Sequence, residues 1–128
     1  MIHKSERGAA AVELAIILPI LLTLLFGIVE FGRAYNASIV VTHAAREAVR
    51  KVALGATDLE AKDAGEKAGS SLPGGVSVSS IPPGDSCPAN VLDQKAKTTV
   101  NYPFSFDIPF FPVLPLTISK TATMLCGG

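Results

Sequence analysis

From Ala9 to Val29 the chain carries one charge, Glu13, in an otherwise apolar run that contains "AVELAIILPILLTLLFGIV". As a helix this run is about 30 Å long, the thickness of a bilayer's hydrocarbon core. The core helix of a protein in water rarely needs so long an unbroken apolar surface. Residues 1–8 ahead of it hold Lys4 and Arg7 against Glu6, a small bias toward a cytoplasmic N-terminus and an outward C-terminus. A secretory signal removed after the apolar run would need a shorter apolar core and an A-x-A-like site just beyond it. Residues 27–38 read "GIVEFGRAYNAS" and offer no good site of that kind. Helical spacing also continues past Val29, so the segment is expected to stay attached to the rest of the chain.

That run takes up much of the apolar content of a 128-residue chain and leaves residues 30–128 as one small domain. A domain of that size gains from a covalent staple. The chain has two cysteines, Cys87 and Cys126. In an oxidising compartment their natural state is a disulfide closing a loop of about 40 residues, worth about 4 kcal/mol on the chain-entropy model. In a reducing one they are two buried thiols. With only His3 and His43 beside them, they cannot build a zinc site. Eleven basic and eleven acidic residues cancel, so no overall charge draws the chain to nucleic acid or to acidic lipid.

Helical spacing runs on from Glu30 to Leu54, with Phe31, Tyr35, Val41, Ala45, Val49 and Val52 near one stripe. Gly55 is placed to end that helix. Arg46, Glu47, Arg50 and Lys51 fall on other faces, either solvated or available to an acidic partner. His43 reads as a solvated helix-face residue. "TDLE" is a capping box with Thr57 as N-cap and Glu60 at N3, starting a surface helix that runs to about Ala68 and stops at "GSSLPGG". After Gly75 the period changes to two. Val76, Val78 and Ile81 mark a short strand, and "PPGDSCPAN" is a loop. Residues 95–104 alternate clearly, and 116–125 read as a third strand whose apolar face is broken by Lys120. The expected fold is α+β: a long N-terminal transmembrane helix continuing into a small domain with a second helix and a three-stranded antiparallel sheet. Between the last two strands, "YPFSFDIPFFPVLPL" holds four of the six Phe, and its prolines at 103, 109, 112 and 115 are expected to prevent regular structure. It is either a loop folded over a small core or an exposed aromatic surface for a neighbouring subunit or the membrane.

Glu13 remains to be explained. An acid at a bilayer's centre costs on the order of 2.5–3.5 kcal/mol, judged from Asp, and less near an interface. One reading places it close enough to the headgroups to stay hydrated. The other gives it a cationic partner. A short basic leader, Gly8, four residues, Glu13 and a long apolar helix together resemble the processing signal of type IV pilins and pseudopilins. The stretch "RGAAAVELAIILPILLTLLFGIVEFGR" is similar to the start of the TadE-like family, pseudopilin-type proteins of the tight-adherence (Flp) pilus system. The resemblance implies cleavage between Gly8 and Ala9 by a prepilin peptidase at the cytoplasmic face. It also implies that the new Ala9 amine of one subunit neutralises Glu13 of its neighbour, so that Glu13 sets helix registration in assembly. Pro19, inside the span, removes one helical hydrogen bond and is expected to kink the helix. That kink is either tolerated by a membrane helix or serves as a bend point when the subunit enters a filament.

The resemblance therefore implies three parts: a leader over 1–8, a transmembrane helix over 9–29 and an extracytoplasmic pilin-like domain over 30–128. The implied place is the bacterial inner membrane, single-pass, or the pilus itself. The implied partners are the prepilin peptidase, other pilin or pseudopilin subunits, the pilus assembly platform and membrane lipid. No G-x-S-x-G, phosphate loop or H-E-x-x-H occurs, so the reading is a non-enzyme without cofactor or metal. "NAS" at Asn36 fits a glycosylation acceptor but lies mid-helix. The rival reading is an uncleaved, signal-anchored membrane protein with a small extracytoplasmic binding domain.

Overall fold

The computed structural model of the chain describes residues 3–79, 81, 83–88, 93–109 and 111–127. Helix α1 (His3–Ala53) is continuous for 51 residues, with Pro19 in its interior. Proline has no N–H, so the carbonyl four residues back loses its usual donor. One turn on, the Thr23 hydroxyl donates to the Pro19 carbonyl at 2.8 Å. The helix ends in a Schellman motif. Gly55 takes φ +80°, its N–H bonds the Val52 carbonyl at 3.0 Å, and the Ala56 N–H bonds that of Lys51 at 3.0 Å. Arg50 and Lys51 in the last turn complement the negative end of the helix.

Helix α2 (Asp58–Ala68) begins at the expected capping box. The Glu60 N–H donates to the Thr57 hydroxyl oxygen, and the Thr57 N–H donates to the Glu60 carboxylate at 2.9 Å. That N–H, with the Thr57 hydroxyl, holds the Glu60 carboxyl below its usual value. Asp58 is likewise lowered, first by its bond to Lys62 at 2.9 Å and then by the Ile81 N–H at 3.2 Å. The helix lies on α1 through small residues. At Gly65 a Cβ would meet Val78 Cγ2 at 2.7 Å and Ala48 Cβ at 3.0 Å, so only glycine permits this approach.

Strands β1 (Ser77–Val78), β2 (Lys95–Phe106) and β3 (Leu114–Leu125) form one antiparallel sheet in the order β1-β2-β3. A short 3-10 turn spans Pro83–Asp85. The loop expected at "PPGDSCPAN" holds that turn, and its Pro82, Ala89 and Asn90 lie outside the described residues. One face of β2 buries Ala96, Thr98, Val100, Tyr102 and Phe104 against α1. The core joins Val100, Tyr102 and Phe104 to Ala37, Val41, Ala44, Ala45 and Ala48 of α1, with Leu72, Val76 and Val78. The α+β architecture is the expected one.

Three expectations are corrected. Strand β1 is only two residues long. Phe31 and Tyr35 do not join the buried stripe; both are about three-quarters exposed, and the stripe instead follows Glu30, Ala37, Val41, Ala44, Ala45, Ala48, Val49 and Val52. Small side chains let sheet and helix approach closely, which large rings there would prevent. Finally, Pro103 and Pro115 do not interrupt the strands. Pro103 pairs with Thr117 inside β2, and Pro115 with Ser105 inside β3. The Thr99 carbonyl accepts from Ser79 on the β1 side, so alternation turns the backbone nitrogen of Pro103 to that side too, beyond the end of β1. Pro115 in turn faces the open outer edge of β3. Neither position asks for an N–H, which is where sheets accept proline.

Candidate functional site

Three places carry the residues of interest. At the start of α1, Gly8, Ala9 and Glu13 all lie on exposed helix, and nothing stands within 4 Å of where a Gly8 Cβ would be. Ala9 and Glu13 are four residues apart and share a helix face. From Gly8 to Val29 no residue is buried within the protein, and large apolar side chains such as Val12, Ile16, Ile20, Leu24 and Ile28 stand open. This is a helix long and apolar enough to cross a membrane, and it marks a membrane anchor.

The second place is the domain's far end. Cys87 and Cys126 come together there with Cα atoms 5.6 Å apart and their sulfurs at bonding distance. The Gly127 N–H bonds the Ala53 carbonyl at 3.1 Å, and the Cys126 N–H bonds the Gln94 carbonyl at 2.9 Å. The end of β3 is thus tied to the end of α1, and both cysteines pack on the cluster of Val49, Val52, Ala53, Ala61 and Ala96.

The third place is where the apolar run gives way to the domain. Glu30, the first charge after Glu13, is buried at 6% exposure. Its carboxylate accepts from Arg33 Nη1 at 2.6 Å and from the Asp107 N–H at 3.4 Å. The Arg33 guanidinium lies over the Phe104 ring, 5.4 Å from its centre. Phe104 meets Phe106 edge-on at 5.0 Å, and Phe106 meets Phe31 at 6.1 Å. An isolated buried carboxylate would be costly; here one cation and one amide N–H compensate it. Sequence patterning puts Glu30 on the helix without assigning it a role. The available signal is an acid with an arginine three residues on, at the end of an apolar run. The partner from the hairpin, 77 residues away, leaves no local trace.

Below this ion pair the link between β2 and β3 folds back along α1. Phe106, Ile108, Phe111, Pro112 and Leu114 line a cleft of about 270 Å³ together with Thr23 and Gly27 of the helix. A groove of about 410 Å³ on the other flank, between α1 and β3, carries Arg46 and Lys120. Arg50, Lys51 and His43 stand at or near the surface of α1.

A family model described as TadE-like protein matches residues 8–50. The match begins on Gly8, takes in Glu13 and the whole apolar run, and ends in the last turns of α1. The resemblance to the TadE-like family is thereby shown for this stretch. Residues 51–128 lie outside the match. No curated protein and no solved structure matches the chain.

Proposed function

We propose that the chain is a minor pilin or pseudopilin that takes part in assembling a tight-adherence type IV pilus, and through it in surface attachment. The observation that carries this reading is the family match that starts at Gly8 and contains Glu13 at the fifth position after it. In this reading a prepilin peptidase cuts between Gly8 and Ala9 at the cytoplasmic face. The freed Ala9 amine of one subunit then neutralises Glu13 of the next as helices pack side by side in lipid, and the charge pair fixes their register. The work is mechanical: subunits join each other and the assembly platform, and no substrate is turned over.

A second reading, an uncleaved anchor bearing a small binding domain, draws on the continuity of α1, which begins at His3 and passes through Gly8 without a break. Gly8→Leu separates the two. A pilus subunit with this substitution stays unprocessed and fails to support piliation, whereas an anchor is unaffected. Normal piliation by Gly8→Leu contradicts the proposal. Glu13→Gln tests the pairing step: the variant should insert into membrane normally but enter the sheared pilus fraction poorly, because an amide carries no charge to pair. Undiminished incorporation would exclude the charge pair.

A further inference from the structure

We propose that the β2–β3 hairpin tip is a second membrane contact: it sits in the interfacial layer of the bilayer leaflet on the domain's side, beside the helix that spans it. The proposal rests on the reading of residues 9–29 as a membrane span. Four observations point the same way.

The first is depth. The tip forms one wall of a cleft whose other wall is Thr23 and Gly27, seven and three residues before Glu30. At about 1.5 Å per residue those contacts lie roughly 10 and 5 Å along α1 on the span side of the first buried charge. If the apolar run to Val29 fills the hydrocarbon core, the tip cannot stand across this cleft from Gly27 and Thr23 without entering the lipid boundary. A span that stopped short of Thr23 would keep about 14 residues, near 21 Å, too little to cross.

The second is surface. Phe111, Val113, Leu114 and Leu116 are each half or more exposed, and Phe111 and Leu114 line the cleft against the exposed apolar flank of α1. Water would meet a continuous apolar strip running from helix to hairpin. The third is charge: residues 108–116 contain none. The fourth is backbone. Irregular chain is expensive near hydrocarbon because its N–H groups want partners. Pro109, Pro112 and Pro115 have none to satisfy. The Asp107 N–H is held by Glu30 and the Phe111 N–H by the Ile108 carbonyl at 3.1 Å. Leu114 and Leu116 stand opposite Phe106 and Phe104 in the ladder. These absent or satisfied donors lower the cost of taking the segment out of water. The depth argument selects lipid over a second copy of the chain, because it derives from where the tip lies along the span.

The chain has no tryptophan, so one can be introduced as a sole reporter. Full-length Phe111→Trp is placed in phosphatidylethanolamine/phosphatidylglycerol vesicles doped with lipids brominated high on the acyl chains. Leu21→Trp reports the span, and Leu59→Trp, exposed on α2, reports water. The expected result is a blue-shifted Phe111→Trp that loses most of its emission to bromolipid and little to aqueous iodide. Val113→Trp should behave alike, which guards against a local disturbance at Phe111. If Phe111→Trp and Val113→Trp follow Leu59→Trp while Leu21→Trp is quenched by bromolipid, the tip faces water and the proposal falls alone. Shielding from both quenchers means that protein covers the tip, which also overturns it. An unquenched Leu21→Trp removes the span and the proposal together.

Discussion

Between Ala9 and Val29, α1 shows its side chains on every face; between Glu30 and Ala53, the same helix hides Ala37, Val41, Ala44, Ala45, Ala48, Val49, Val52 and Ala53 completely or nearly so. Glu13 apart, the first half is apolar all round and rich in Leu and Ile. The second is patterned, and its hidden face is mostly Ala and Val. A helix that is apolar on all sides needs an apolar solvent. A helix that must seat both a sheet and a second helix needs small residues where they touch. The boundary between the two regimes is Glu30, where a buried acid, Arg33 and the Asp107 amide close the domain's lower end. Distally the same job is done by the Cys87–Cys126 pair and the Gly127 bond to Ala53. One continuous backbone element thus has its halves stabilised by separate agents, lipid for one and packing for the other. Damage to the distal half should therefore leave the proximal half in place.

The greatest loss should come from removing the covalent tie. Cys87→Ser with Cys126→Ala should lower the domain's stability by about 4 kcal/mol, chiefly by freeing the unfolded chain. Proteolysis of the membrane-inserted protein should then cut the domain while the span stays protected. Loss of span protection along with the domain would show that the two halves are not independent. Next is Gly65→Leu, which forces a side chain into Val78 and Ala48 and should cost about 3 kcal/mol, at the upper end of overpacking. Its readout is the same, with membrane insertion unchanged. An unaltered denaturation midpoint would mean that α2 does not depend on its close approach to α1.

A milder loss is expected at the α2 cap. Thr57→Ala should cost about 1 kcal/mol. Asp58 and Glu60 add a pH dependence whose sign is fixed: their carboxyls are lowered from ordinary values of 3.8 and 4.5. A depressed folded-state value means stability that is present at neutral pH and lost as pH falls below the ordinary values and through the folded ones. Thr57→Ala should flatten that acid limb, measurable as a smaller shift in midpoint between neutral and acid pH. An identical acid limb in both proteins would assign the dependence elsewhere.

How far the sequence carries the structure depends on how local each feature is. The long apolar helix, the α2 capping box and its end at Ala68, the Gly55 terminus and the alternation in β2 are signalled within a few residues, and the structure has them. Strand ends are not signalled in this way, because a proline's cost depends on where its missing N–H would point. That in turn depends on where β1 stops, and the residues around Pro103 do not record it. Phe31 and Tyr35 fit a helical stripe, but two adjacent stripes fit the same spacing; the buried one is that whose small residues admit the sheet. Gly8 and Glu13 are legible through spacing and resemblance. The Glu30–Arg33 closure and the depth of the hairpin tip are not, because both join α1 to residues far along the chain.

The proposed function turns on whether the chain is an assembly subunit matured at Gly8. The most direct test is the intact mass of the protein taken from membranes of its native host. The expected chain begins at Ala9 and lacks residues 1–8, with the mass two hydrogens lower before reduction than after. A chain that still carries residues 1–8 when piliation is active would contradict maturation and leave a membrane-anchored module in its place.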